Sequence, residues 1–473
     1  MIVILSLITT GIRSAFIASS RVSMVSAMDL GLYSLFGQFD RDLIEHFGLL
    51  FIDGGRGQEK LQMGKIYQEL EDTVGYNLFT ESMSSEFKVD IKAGSIRGYT
   101  LATDGRGRIF KEQVISYMQE TLGAQGVQQL MNKTVADSET IKKQEADKEK
   151  IDSGDMADYE EVKRVGEEAL AEALAEGTAD AESQVSAPPG FINPIEIIKM
   201  MKDLGTLTLL VPEGEHASKK VLDLESCVSR RGLQQGMGII PSSNESQGII
   251  GDFLFQEYLL KNCGSYVSPS GSASLEYQLE YLLQGKARDI ENLTGVANQL
   301  LLTREAANVI HLLTDSSKRA QVASMSATIS MMIGMPQAQK LVEGILILCW
   351  AFGESVIDVR ALFRGEKVAL VKDSTTWQLS LENLSRLPEL LNGELGGNEN
   401  GLDYQGYLRA LLLLKNEDEK VMRAMDIVEM TISSISGREG FRMDSCLASL
   451  EVEMQMNVSR NSYDVRRSYS YEM

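Results

Sequence analysis

Met1–Ile12 reads MIVILSLITTGI, a run without one charged side chain. Arg13 interrupts it, and Ser14–Ala18 resumes an apolar course. After Arg21 the apolar positions change to helical spacing: Val25, Met28, Leu32, Leu35, Phe39, Leu43 and Phe47. Steps of three and four residues place these on one helix face. The pattern predicts one continuous helix over 1–47, apolar all round at its tip and amphipathic along its stalk, with Gly48 as its cap. The side chains that would face lipid are Ile2, Val3, Ile4, Leu5, Leu7, Ile8, Ile12, Phe16 and Ile17. A spanning helix needs about 20 apolar residues. Met1–Ala18 reaches that length only by including Arg13, and a central arginine costs roughly 2.5–3.5 kcal/mol on insertion scales. A core helix of a soluble protein would carry a similar run. A cleaved secretory signal fits less well, because no basic segment precedes the run and no small-x-small site follows it.

The remaining chain is that of a large globular protein. At 473 residues, with 43% hydrophobic and 24% charged, it has enough apolar material for a substantial core. Its net charge is −21, which disfavours nucleic acid as a partner and argues against a general basic face for anionic lipid. Cys227, Cys263, Cys349 and Cys446 stand far apart, with no CxxC or His/Cys cluster, so no zinc site is expected. Two disulfides remain open in any of three connectivities. Cys349, beside Trp350 in an apolar run, reads as a small core residue.

Thr134–Ser183 is the clearest boundary, with sixteen acidic and six basic residues and a single aromatic, Tyr159. Ser186-Ala187-Pro188-Pro189-Gly190 ends it. We read 134–189 as a solvated helical or partly disordered insertion in a main α+β domain formed by 48–133 and 190–473. Within that domain, helices are expected at 58–82, 106–131, 194–204, 249–261, 289–313, 318–333, 335–363 and 404–433. Strands are expected at 49–52, 87–91, 206–211, 275–281, 367–371 and 377–381. The clearest strand is 450–458, where Leu450, Val452, Met454, Met456 and Val458 alternate with polar residues, and 463–471 is expected to continue or pair with it. GILILCWAF at 344–352 is too short to cross a bilayer and is expected to be a buried helix.

Catalytic and ligand-binding signatures are weak. His46, His216 and His311 lack partners at metal-ligand spacing. Ser85-x-x-Lys88 matches a serine acyltransferase pattern without its companion motifs. Gly57 and Gly64-Lys65 miss phosphate-loop spacing. Glu354 and Asp358, four residues apart on an apolar helix, could serve acid/base chemistry. Buried carboxylates more often pair with cations, here expected to be Arg288 or Arg360. No catalytic residue, cofactor or metal site is therefore expected.

Several stretches resemble an uncharacterised domain family of clostridial and related Gram-positive bacteria, whose members look membrane-anchored and are often encoded beside tight-adherence (type IV-like) pilus genes. The matching residues are Val3–Leu7, Ser19–Val22, Phe39–Leu43, Leu50–Gly54, Leu279–Gly285, Trp350–Leu362, Lys367–Lys372, Trp377–Leu379, Gly401–Leu414 and Arg466–Tyr471. Family members carry a short basic, glycine-containing leader before the apolar run. This chain starts inside that run, so processing is not carried over from the resemblance. It implies a single-pass surface protein, pilus-associated or pseudopilin-like, with its bulk extracellular and with pilus or other surface proteins as partners. The alternatives are a soluble scaffold whose first helix is buried in its own core or a dimer, and a surface hydrolase using Glu354 or Ser85.

Overall fold

The computed structural model describes residues 2–78, 88–123, 126–127, 194–211, 217–238, 248–271, 274–332, 336–391 and 401–471. The acidic 134–189 insertion, the expected helix beyond 127, Ser85 and His216 lie outside them. The architecture is mixed α+β, as expected: a long N-terminal helix, a four-stranded antiparallel sheet and a helical body.

Helix α1 spans Ile2–Phe36 and α2 spans Arg41–Phe47, so the single stalk expected over 1–47 is broken. Gly37 and Gln38 close α1 by bonding back to the carbonyls of Tyr33 and Leu35. Asp40 then caps α2, its carboxylate accepting from Leu43 N–H at 3.1 Å while it also pairs with Arg438. Gly48 ends α2 with φ 69°, the left-handed cap its sequence position suggested. The inner half of α1 presents Met24, Ala27, Met28, Leu32, Leu35 and Phe36 as one buried stripe. Val25 falls at the edge of that stripe and Phe39 lies exposed beyond the helix.

The stripe packs on α3 (Met63–Leu78) and on the sheet. Gly31 permits this approach, since a Cβ there would lie 2.7 Å from Val74 Cγ2. The sheet is built around β3 (Cys446–Val458). Strand β2 (Val89–Leu101) lies on one side, and β1 (Ile52–Asp53) and β4 (Asn461–Ser470) follow one another on the other. Leu450, Val452, Met454, Met456 and Val458 are buried beneath the helices, confirming the alternation. Glu451, on the opposite face, receives both nitrogens of Arg466 at 2.7 and 2.8 Å. The C-terminal segment clamps α1: Tyr471 donates to Phe36 O at 2.6 Å, and Arg467 pairs with Asp29 at 3.0 Å.

A second core fills the helical body, which includes α2 and α4 (104–123). Its other main helices are α5 (Pro194–Asp203), α6 (Ile249–Asn262), α7 (Gln278–Gln284), α8 (Asp289–Thr314), α9 (Ser316–Met332), α10 (Gln339–Phe363), α11 (Tyr404–Leu413) and α12 (Glu417–Ser433). The GILILCWAF run sits inside α10, and every residue of that run except Leu348 is buried.

Four expected strands fail for identifiable reasons. Thr206–Leu210 is a short helix packed on α8 and α10, with no sheet edge beside it to pair with. Leu275–Tyr281 leads into helix α7, because the polar residues Gln278 and Glu280 are buried as well. Gln278 accepts from Gly264 N–H at 3.0 Å and Glu280 from Tyr266 N–H at 2.8 Å, so the alternation does not separate core from solvent. The strands expected at 367–371 and 377–381 are absent, since the N–H groups of Gln378 and Leu379 bind Glu354 and Val368 bridges Leu402 instead. The long 404–433 helix divides where Asn416 caps α12, accepting from Glu419 N–H at 3.2 Å.

Candidate functional site

The outer part of α1 is the first candidate. Among the described residues this is the one helix long and apolar enough to cross a membrane, and 6% of its most apolar 18-residue window is buried. Val3, Ile4, Leu5, Leu7, Ile8, Ile12 and Phe16 are all exposed, with Val3 at 80% and Leu7 at 74%. Ile17 is half-buried, and the first fully buried side chain is Ser20. Ile2 lies within the helix, though its side chain is outside the described set. The exposed positions run round the whole helix circumference, unlike the one-sided stripe of its inner half. A continuous apolar surface of this kind marks contact with lipid or another protein. Arg13 does not interrupt the tip unsupported: its Nη2 donates to Ser459 Oγ at 3.1 Å, at the β3–β4 turn.

The second candidate is the Glu354/Asp358 pair. Its partners are not Arg288 or Arg360, as the sequence suggested. Arg288 sits beside Glu291, and Arg360 donates to Leu209 O at 2.9 Å. The cations are Lys372 and Arg304. Lys372 Nζ lies 2.6 Å from Glu354 Oε1 and 2.7 Å from Asp358 Oδ1, and donates to Thr376 O at 2.9 Å. Arg304 grips Asp358 Oδ2 through Nε and Nη2 at 3.0 and 2.9 Å, and reaches Leu370 O and Tyr407 Oη through Nη1. Asn308 joins Ser355 at 2.9 Å. The four charged side chains are 0–2% exposed and carry two charges of each sign. Burial raises the Glu354 carboxyl above its ordinary range, opposed by Lys372. With solvent excluded, no substrate meets these carboxylates in this conformation. The cluster ties α8 and α10 to the 367–379 segment. Lys372 and Arg304 were missed because 14 to 54 residues separate them from their partners. The one available signal was Arg304 itself, a charge inside the apolar run of α8.

Beside the cluster, His311 stacks on Trp377 with ring centroids 5.1 Å apart. Lys318 Nζ lies 4.6 Å from the Trp377 ring and 5.0 Å from that of Trp350. Burial, then Lys318, lower the His311 pKa, so it is neutral at pH 7. This is packing chemistry. His46 is exposed.

Two cavities open elsewhere. One, of about 310 Å³, lies over Asp104-Gly105-Arg106 and the 233–238 loop. Residues 105–107 have positive φ of 63°, 59° and 80°, and Asp104 is already occupied by Leu101 N–H and Gly236 N–H. The other, of about 230 Å³, is lined by Cys227, Asp426, Glu429 and Arg442. Burial and the Asp426 charge push the Cys227 thiol up to about 12, which leaves it without nucleophilic thiolate at neutral pH. All four cysteines are unpaired, so neither of the two disulfides left open by the sequence is formed. Among the described residues no cluster of His, Cys, Asp and Glu is arranged to hold a metal.

No curated protein and no solved structure matches the chain. A family model matches residues 184–458, more than half of its length. The match begins at the end of the acidic segment and closes at the last residue of β3. It takes in the charge cluster and leaves α1, β2 and β4 outside. The chain belongs to DUF5702, a family of unknown function.

Proposed function

We propose that this protein is a non-enzymatic, membrane-anchored structural or interaction protein. One N-terminal helix sits in the bilayer and the folded bulk lies outside the cell. By its resemblance to clostridial, pilus-linked surface proteins, it serves as a pilus-associated or pseudopilin-like component that contacts other surface proteins. The observation that carries this reading is the exposure of Val3–Phe16 around the full helix, joined rigidly to a half that is packed on the sheet. An apolar tip on a fixed helix anchors a body without a flexible tether. The sealed state of the Glu354/Asp358 cluster supports a structural role over hydrolysis.

A second reading differs only in sidedness. Four unpaired cysteines suit a reducing compartment. Cations on the body side of the tip, Arg13 and Arg460, suit a cytoplasmic body. Fractionation of cells lysed without detergent tests the shared claim. The full chain is expected in the membrane pellet, resistant to alkaline carbonate. Recovery as soluble material would overturn anchoring and favour the scaffold with a self-associated helix. External protease on intact cells then separates the two sides, since only an extracellular body is cleaved.

A further inference from the structure

We infer that the free face of α1 is a seam along which a second copy of this chain packs, helix on helix and parallel, to form an anchored two-fold dimer. This rests on the anchoring reading above. Ile12, Ser19, Ser26 and Tyr33 recur every seven residues, and Ala15, Val22 and Leu30 fall between them. A repeat of seven is the spacing of a face that meets another helix along its length. At 3.6 residues per turn, this face lies about half a turn round from Met24, Met28, Leu32 and Leu35, which pack on α3 and the sheet. All seven seam side chains are exposed. Val22 and Tyr33 are each 67% exposed. They stand on the body half of the helix, alongside the sheet, so lipid does not account for their apolar surface.

Every charge on α1 is turned away from the seam and onto the sheet. Arg13 donates to Ser459 Oγ at 3.1 Å, Arg21 covers the Tyr463 ring at 5.1 Å, and Asp29 pairs with Arg467 at 3.0 Å. A copy related by a two-fold axis along the helices therefore meets an uncharged face identical to its own. Ser19 and Ser26 let the two backbones approach closely and can hydrogen-bond across the seam. From Ile12 to Tyr33 the seam is about 32 Å long, and at a width of about 10 Å it covers roughly 300 Å² per partner. A stable interface between free proteins covers about 800 Å² per partner. The bilayer supplies the difference by confining and aligning the two helices, so pairing belongs to the anchored state. Outward of Ile12 the helix is apolar all round, no face is set apart, and lipid is its neighbour. The bodies, at −21 each, repel one another, and salt screens that repulsion beyond about 8 Å at about 0.15 M.

The test is disulfide cross-linking of the full chain in phosphatidylcholine vesicles at about 0.15 M salt, with flotation to read whether the protein is bound. Ser19→Cys and Ser26→Cys lie on the seam, whereas Ser14→Cys is also exposed but about a third of a turn away. Facing cysteines in register come within the Cα separation of about 4.4–6.8 Å that a disulfide spans. Each seam variant is expected to give at least about tenfold more disulfide-linked dimer than Ser14→Cys or the wild type. Adding Val22→Glu to Ser26→Cys, with folding checked by circular dichroism, is expected to abolish the dimer and leave flotation unchanged. Equal cross-linking at the three positions, a seam dimer that survives Val22→Glu, or no dimer from floated protein would overturn the inference and leave the anchor standing. Failure to float would instead overturn the anchoring reading, and this inference with it.

Discussion

Two buried residues show how this chain tolerates charge inside its helical body. Lys372 neutralises Glu354 and Asp358 together, with Arg304 completing the balance. Removing one member strands an uncompensated charge, which costs about 3–5 kcal/mol. Lys372→Met should lower stability by that amount in urea unfolding, whereas a loss below about 1 kcal/mol would show that the cluster does not hold the body together. Glu280 is the opposite case, a carboxyl buried without a cation. It accepts from Tyr266 N–H at 2.8 Å and Tyr404 Oη at 2.7 Å, and burial pushes it up to about 7. Its folded pKa lies above its unfolded value, so the native state binds the extra proton between about pH 4.5 and 7. Stability from this group rises as pH falls through that window, by roughly 3 kcal/mol between pH 8 and 4.5. Urea midpoints at pH 8 and pH 5 should therefore differ less in Glu280→Gln than in the wild type. Equal differences in the two proteins would show that Glu280 is not held protonated. The Lys372 cluster was half legible: the sequence exposed its carboxylates and the need for partners, but partner choice depends on how α8 and the 367–379 segment fold together.

At the scale of elements, the sequence was readable where burial follows one period. The β3 alternation, the inner stripe of α1 and the apolar run of α10 obey the simple rule that one face meets the core. It was misread where polar residues turn inward to satisfy backbone groups. In α7, Gln278 and Glu280 alternate with leucines and tyrosines and yet are buried, because each accepts a main-chain N–H from the preceding loop. Around 377–381, Glu354 takes the two N–H groups a strand partner would need, and the indoles of Trp350 and Trp377 share the Leu379 carbonyl. No local pattern announces such tertiary acceptors. The divisions of the two long helices were visible in principle. Asp40, three residues past Gly37, and Asn416, followed by three acids, are ordinary start signals within otherwise helical stretches.

Over the whole molecule, the two cores have different work. The helical body, tied by buried ionic and hydrogen-bonded networks, makes up most of the region shared with the family. The smaller core lets α3, the sheet and the C-terminal strand grip the inner half of α1, which fixes the direction in which the apolar tip points. The central claim is that lipid surrounds that tip. It is tested most directly by an environment-sensitive fluorophore attached at Ile8→Cys and read in the presence of vesicles. The native thiols compete little, since Cys227, Cys349 and Cys446 are buried and burial raises the Cys263 pKa to about 12. The account predicts a blue-shifted emission that is quenched by spin labels on the acyl chains. An emission unchanged by vesicles and insensitive to those quenchers would contradict it.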